Sequence, residues 1–440
     1  MPSTRNPQVP GPRGAAAVRA LARIAAGRPL EACADLFARY GDTVYVPVRP
    51  WEGLYILSRP EQAEHVLAAN QDNYVKPFTY RPLRLLLGDG LVTAEGPTWR
   101  RHRRIAQPAF SSRNIAPLAA EMDEGARRAT GRWEDSQVID VAGEMSALAL
   151  DVAGRALFGA EPFTVAPPAG QPSPAGEWLA LLAGATPVTG GPRSSRVARA
   201  AAAWFGIGGV RQQVERMASG GRAGLLDLLR QAQNDGALNA REVSDEIGTF
   251  LVAGSETTAM ALTWSLALLS AYPHARQRLE DEADALPGDG PADLAKLPWT
   301  TAVISEAIRL YPPAWTLERT AIDDDDVCGT RVPAGSMVAV LPYLVHRHPA
   351  VWPNPAGFDP DRFLPGAPPR HRYAWIPFGG GKRGCIGAGF ARQEAALALA
   401  RICRDYRLDL LDTALPRPRG LVTLRPAGTV RMRLTRRAAR

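Results

Sequence analysis

The sequence predicts a mainly α-helical protein with a small β region, and three observations carry that expectation. Apolar residues recur at helical spacing over long stretches, most extensively from Val243 to Leu269. Strand-like pieces are few and short. No Ser/Gly-rich linker, internal repeat or abrupt charge block divides the 440 residues, so one domain over 1–440 is expected.

Taken in order, residues 1–25 hold Pro2, Pro7, Pro10, Gly11 and Pro12 and read as a flexible N-terminal segment. A helix follows at Leu30 to Arg39, then strands at Val44 to Pro47 and Tyr55 to Ser58, and a helix at Pro60 to Asn70. Trp99 opens another helix, and Ala-rich helices fill Ser112 to Gln233. Within them, 172–209 is rich in Pro, Gly and Ser and reads as a mobile helix-loop-helix lid. Leu297 to Tyr311 is helical by spacing, and strand-like pieces recur around Val332 to Leu341 and Leu421 to Leu434.

Composition bounds the class. The net charge of +8 comes from 52 basic and 44 acidic residues, partly concentrated in Arg431, Arg433, Arg436, Arg437 and Arg440. So modest an excess suits steering of acidic partners and does not argue for nucleic acid. Cys33, Cys328, Cys385 and Cys403 lie far apart and suggest no disulfide framework, which fits a reducing cytoplasm. No apolar run reaches the ~18 residues of a membrane span. The most apolar stretch, Ala259 to Ala271, is too short, so neither a membrane anchor nor a secretory signal is expected.

Most of the functional information sits in Phe378-Gly379-Gly380-Gly381-Lys382-Arg383-Gly384-Cys385-Ile386-Gly387. Glycines let backbone N–H groups converge on one atom, and a helix starting near Gly387 points its positive end at the sulfur. Both features favour a thiolate, hence a metal ligand or a nucleophile. A phosphate-cradling loop is excluded by the glycine spacing and by the absence of Ser or Thr after Lys382. Zinc would need further Cys or His nearby. A nucleophile would need a base, and nothing in the sequence ties His346, His348 or His371 to Cys385.

The spacing of Phe378, Gly381, Arg383, Cys385 and Gly387 resembles the cysteine loop of the cytochrome P450 superfamily of haem-thiolate monooxygenases. The resemblance implies a single-domain fold with haem b held between a long distal helix and the cysteine loop, and Cys385 as the iron ligand. Phe378, Gly379, Arg383 and Gly387 would then contact the cofactor.

Other parts recur in the family's order. Glu306 and Arg309 share a helix face at i, i+3, and Phe358-Asp359-Pro360-Asp361-Arg362-Phe363 follows; by resemblance Glu306, Arg309 and Arg362 form a buried cluster that fixes the loop leading to Cys385. In the long helix, Ala253-Gly254-Ser255-Glu256-Thr257-Thr258 places a Gly and consecutive threonines where helix propensity disfavours them. Phe250, Ala253, Gly254, Thr257 and Ala261 share one stripe, leaving room beside the Thr257 hydroxyl for dioxygen. Glu256 lies about 100° away and is expected to reach Thr257 through water. By resemblance Glu256 and Thr257 relay protons. Trp99 and Arg103 match a helix that meets a haem propionate, and Arg319 and Arg383 would do the same. Arg100, Arg101, Arg104, Lys382 and Arg392 would form a proximal surface for an acidic ferredoxin or flavodoxin with its reductase.

The resemblance further implies electron-driven monooxygenation by a monomer that draws electrons from separate proteins. The expected substrate pocket includes Phe78, Leu87, Phe250, Ala253, Trp315, Leu317 and Leu421, with Trp178, Leu179, Trp204 and Phe205 from the lid. It is predominantly apolar and favours a compact hydrophobic substrate, foremost a terpene or terpenoid. A fatty-acyl, steroid or macrolide substrate is the alternative, since Arg81 or Arg84 near the entrance would suit a carboxylate. A haem-thiolate sensor would need Cys385 but would have little use for Glu256 and Thr257.

Overall fold

The computed structural model describes residues 9–49, 52–159, 224–286, 288 and 290–438. The lid expected at 172–209, with Trp178, Leu179, Trp204 and Phe205, lies outside them.

The distal helix, Ala240–Ala271, organises the molecule. Its start is set by a capping box: the Glu242 N–H donates to Asn239 Oδ1 at 3.0 Å, and the Asn239 N–H to Glu242 Oε2 at 2.9 Å. Ser255, Thr257, Thr263 and Ser265 would be poor residues for a buried helix if their hydroxyls were stranded. Each instead donates to the carbonyl four residues back, at 2.7 to 2.8 Å. The helix therefore runs unbroken through its unfavourable centre. It packs on the helix Val141–Phe158, and Trp264 stacks on Tyr311 at 3.8 Å.

On the opposite side lies the proximal helix Ala388–Asp405, which starts directly after Gly387 and is apolar on its inner face, with Leu397, Leu399 and Ile402 buried. Helices Ala119–Thr130, Pro273–Asp284 and Pro298–Leu310 pack around it. One large core joins all of these elements.

The β region is small. Strands β1 (Thr43–Arg49), β2 (Glu52–Leu57), β3 (Tyr74–Val75), β5 (Leu317–Ala321) and β8 (Met337–Val340) form one sheet in the order β1-β2-β8-β5-β3. Only the β2–β8 pair is parallel, with Leu54 opposite Met337. A second sheet orders β4 (Val138–Asp140), β12 (Arg431–Arg436) and β9 (Tyr406–Leu410). Two hairpins, β6–β7 (Asp325–Val327, Thr330–Val332) and β10–β11 (Pro418–Gly420, Leu424–Pro426), complete it.

Two expectations change. The end of the segment expected to be flexible, Ala15–Ala25, is a helix, because Ala17 and Ala20 lie on one face and bury against the helix Pro29–Tyr40. The helix expected over Pro60 to Asn70 is α only to Glu64 and continues as a π turn, His65–Ala69. That turn meets the cysteine loop. Gly381 has φ 62°, and a Cβ there would lie 2.0 Å from the Leu67 carbonyl oxygen, so no other residue fits that approach.

Candidate active site

Between the distal helix and the cysteine loop lies a cavity of about 320 Å³. Cys385 opens onto it from the proximal side. The Cys385 N–H donates to the Phe378 carbonyl at 2.8 Å, closing the loop into a turn that presents the sulfur inward. Burial pushes the thiol above its ordinary pKa. The Gly387 N–H and the charges of Arg103 and Arg392 pull the other way and do not prevail. The thiolate preference expected from glycines and helix terminus is therefore present in sign but outweighed by desolvation, so a bonded cation is what would stabilise the anion.

The distal stripe stands opposite. Phe250, Ala253, Gly254, Thr257 and Ala261 all line the cavity. Thr257 donates to the Ala253 carbonyl at 2.8 Å. Glu256 departs from expectation: its carboxylate does not line the cavity. Oε1 instead accepts from Thr423 Oγ1 at 2.7 Å and Arg425 Nε at 2.5 Å, which ties the distal helix to the segment around β11. The 100° separation along the helix explains this, because the neighbouring face of the helix meets the C-terminal hairpin rather than the cavity.

Charge in the lining is one-sided. Lys76, Arg103, Arg319, Arg383 and Arg392 reach the cavity, and among the described lining residues there is no carboxylate. Arg103 donates to the Gly384 carbonyl at 2.8 Å, and Arg383 lies 4.6 Å from the Trp99 ring and pairs with Glu95. Arg383 Nη1 is nevertheless buried without a partner among the described residues. Lys76 gives Nζ–H to the Ala94 carbonyl at 2.6 Å, and burial, helped by Arg383, lowers its pKa to about 7. A buried guanidinium N–H with no partner among the described residues, beside four further cations and no carboxylate in the described lining, calls for an anion that arrives with the ligand. Haem fits: its two carboxylates would answer the cations, its ring the apolar walls, and its iron the Cys385 sulfur.

The charge cluster is closed. Glu306 and Arg309 are fully buried, and Arg309 donates five hydrogen bonds, two to Glu306 and one each to the carbonyls of His346, Pro355 and Gly357. Arg362 Nε stands 3.4 Å from Glu306 Oε1, and the Asp359 N–H donates to the same oxygen. The link toward Cys385 runs through His346, whose Nε2 accepts from the Ile376 N–H at 2.8 Å, two residues before Phe378.

Residues 9–166 and 209–430 match the family described as Cytochrome P450. The chain belongs to that family. The P450 is 36% identical over 437 residues to cyclooctatin synthase from Streptomyces melanosporofaciens, covering 93% of this chain and 92% of that protein. It is 32% identical to pentalenene oxygenase from Streptomyces avermitilis, covering 93% of each. Among solved structures it matches CYP175A1 from Thermus thermophilus, at 29% identity, TM-score 0.79 and coverage of 97% of this chain and 100% of that one. The haem domain of cytochrome P450DA matches at 26% identity and TM-score 0.81, covering 98% of both. The P450 is thus a monooxygenase of a family that binds haem b through a cysteine thiolate. No helix among its described residues is long and apolar enough to cross a membrane.

Several pocket expectations do not hold in this P450. Phe250, Ala253 and Leu317 line the cavity, with Phe378, Gly379 and Gly387. Phe78 is half exposed and lines a separate outer groove. Leu87 is buried but outside the described lining. Trp315 turns into the core beside the first sheet, where its Nε1–H donates to the Leu421 carbonyl at 2.8 Å, so neither residue faces the cavity. Leu91, Val92, Phe110, Ile304, Ile308 and Ala314 take their places, and Lys76 and Tyr80 join the cationic edge. The apolar ones carried no sequence signal beyond core periodicity. Lys76, a lone cation beside Pro77, was the one legible clue. The proximal surface also shrinks: Arg101 turns inward to Glu242, Lys382 pairs with Asp72 at 2.7 Å, and Arg392 lies 4.8 Å from the Phe378 ring. Arg100 and Arg104, at i, i+4, remain exposed.

Proposed function

We propose that this P450 oxidises a compact apolar substrate of the terpenoid class, with Cys385 as the iron ligand and electrons supplied by a separate acidic redox protein meeting Arg100 and Arg104. The observation that carries the reading is the cavity itself. Its apolar wall includes Leu91, Phe250, Ala253, Ala261, Ile304 and Ile308. Such a wall excludes water and favours a hydrocarbon skeleton over a charged one. The similarity to cyclooctatin synthase and pentalenene oxygenase supports the same class.

When bound, haem supplies the activation of dioxygen. The chain's own residues do the rest. Arg103, Arg319 and Arg383, with Lys76, would hold the cofactor's carboxylates. The apolar wall would orient the substrate over the Cys385 axis. Thr257 can deliver a proton to the cavity only after its hydroxyl leaves the Ala253 carbonyl, a single side-chain rotation that exchanges one hydrogen bond for another. Glu256 can take part only when its contacts with Thr423 and Arg425 open.

A titration of the purified haem protein with terpene, fatty-acyl and macrolide ligands tests the proposal, read by the low-to-high-spin absorbance shift. A shift with sesquiterpene- or diterpene-sized hydrocarbons, followed by oxygenated product when surrogate ferredoxin and reductase are added, is expected. A shift confined to acyl chains would replace the terpenoid reading with an acyl one. Arg84 is already paired with Asp89 at 2.5 Å, which leaves Arg81 in the outer groove as the arginine for that alternative.

A further inference from the structure

His102 and Glu246 have no place in the haem site, yet both side chains are fully buried. His102 is on the helix Gly96–Ala106, between Trp99 and Arg103. Glu246 is on the distal helix, three residues before Thr249 and four before Phe250, so it prolongs the cavity-facing stripe by one turn. The imidazole bridges two carboxylates. Nδ1 lies 2.6 Å from Glu246 Oε1, and Nε2 lies 3.4 Å from Glu242 Oε1. Glu242 is partly exposed; it also takes Arg101 and caps the distal helix. One end of this chain therefore touches solvent.

The other end points at the cavity. Thr249 Oγ1 is buried without a partner among the described residues, and Glu246 Oε2 makes no hydrogen bond there, although the Leu91 N–H lies near enough to stabilise the carboxylate. Thr249 lines the cavity, and its hydroxyl does not fold back on the helix as those of Ser255, Thr257, Thr263 and Ser265 do. A Cβ at Gly90 would fall 2.0 Å from Thr249 Oγ1, so glycine is what leaves the hydroxyl its space. Burial alone would lower the His102 pKa, but Glu246 and Glu242 outweigh it and raise it. Burial, with a smaller contribution from the charge of Asp245, raises that of Glu246 against the pull of His102 and the Leu91 N–H. Both directions favour a proton on the pair. Isolated buried polar atoms are costly, and two on adjacent turns beside a reaction cavity call for a role.

We propose that Glu242, His102, Glu246 and Thr249 form a proton route from solvent into the oxygen-binding side of the cavity, separate from Glu256. Glu246, neutral at rest with its proton on Oε2, gives that proton to Thr249 Oγ1 as the hydroxyl releases its own into the cavity. The carboxylate so formed takes the His102 Nδ1 proton on Oε1 and rotates, while Glu242 passes a proton to His102 Nε2. A ring flip restores the imidazole. One proton enters, one leaves, and no electron moves. The route rests on the monooxygenase chemistry of the family and not on the terpenoid reading.

The test uses the holoenzyme with Glu246→Gln, which keeps the shape but removes the titrating proton, and Thr249→Val, which leaves the His102–Glu246 pair intact. Both are driven by surrogate ferredoxin and reductase with a substrate found by spin-state titration. Turnover is expected to fall by about tenfold in each, less than for loss of a sole proton donor because Glu256 remains. The solvent deuterium isotope effect should rise in each. An infrared carbonyl band of a protonated buried carboxyl, independent of turnover, should vanish in Glu246→Gln and persist in Thr249→Val. Thr249→Val with parental rate and isotope effect overturns the route, as does a Glu246→Gln enzyme that loses thermal stability but neither rate nor the band. The reduced carbon monoxide spectrum of the parent tests the Cys385 assignment separately.

Discussion

Replacing Arg309 by Lys keeps the buried charge and removes only the shape of the guanidinium. Arg309 uses all five of its N–H groups, on both oxygens of Glu306 and on the carbonyls of His346, Pro355 and Gly357. An ammonium has three. At least two buried acceptors therefore lose their donor, at about 1–3 kcal/mol each, for a total of about 2–6 kcal/mol. That is a large part of the ~5–15 kcal/mol that separates a typical native domain from its unfolded chain. The damage should also reach the haem, because Arg309 fixes the His346 carbonyl while His346 Nε2 fixes the Ile376 N–H. Urea unfolding followed by far-UV dichroism gives the stability change, and the haem absorbance gives cofactor loss. The expected result is a midpoint shift worth at least about 2 kcal/mol, with haem released before the helices melt. A variant within about 1 kcal/mol of the parent that retains haem would refute the accounting by donors, and with it the path from Arg309 to the cysteine loop.

Other perturbations are as concrete. Gly254→Ala should stabilise the protein by up to about 1 kcal/mol, since a Cβ there would make only ordinary contact with Ala153 at 3.6 Å; a lower unfolding midpoint would show that the helix is more crowded than it looks. Arg425→Ala should cost about 3 kcal/mol and speed proteolysis of the β10–β11 hairpin, because it strands the buried Glu256 carboxylate; unchanged proteolysis would show that Thr423 alone holds it. Burial, with the charges of Arg309 and Arg347, lowers the His346 pKa to about 3, below its unfolded value. The unfolded chain then binds the extra proton between about pH 3 and 6.5, so stability rises with pH across that window by up to about 1.4 kcal/mol per unit and is flat above it. Denaturation at pH 7 and 5 should show a steeper acid loss in the parent than in His346→Gln. Thr257→Val should lower product formed per electron and increase peroxide, measured as product and peroxide per NAD(P)H.

How much of this was legible in the sequence depended on whether a residue's role is local. The cysteine loop, the Glu306/Arg309 spacing and the distal stripe are short-range patterns, and Cys385, Trp99, Arg103, Arg319, Arg383 and Thr257 all line one cavity. The long helix was expected from Val243 to Leu269 and runs Ala240–Ala271; its true start is the Asn239/Glu242 capping box, itself visible as N-x-x-E. By contrast Trp315 and Leu421 bond to each other across more than 100 residues, and Leu87 buries elsewhere. No periodicity distinguishes a side chain that faces a cavity from one that faces a core, because both are apolar.

The sequence by itself determined the chemistry: a cysteine among glycines before a helix, four arginine or tryptophan positions that answer a charged cofactor, and a helix whose broken preferences mark its centre. Those are determined locally because backbone geometry and charge compensation act over a few residues. Only the tertiary structure decided which way the polar groups of the distal helix face. It turned Glu256 toward Thr423 and Arg425, and it paired Glu246 with His102, 144 positions away in the chain. The reason is physical: a buried charge must find a partner wherever packing offers one, and that partner is set by how helices cross, which no single segment encodes.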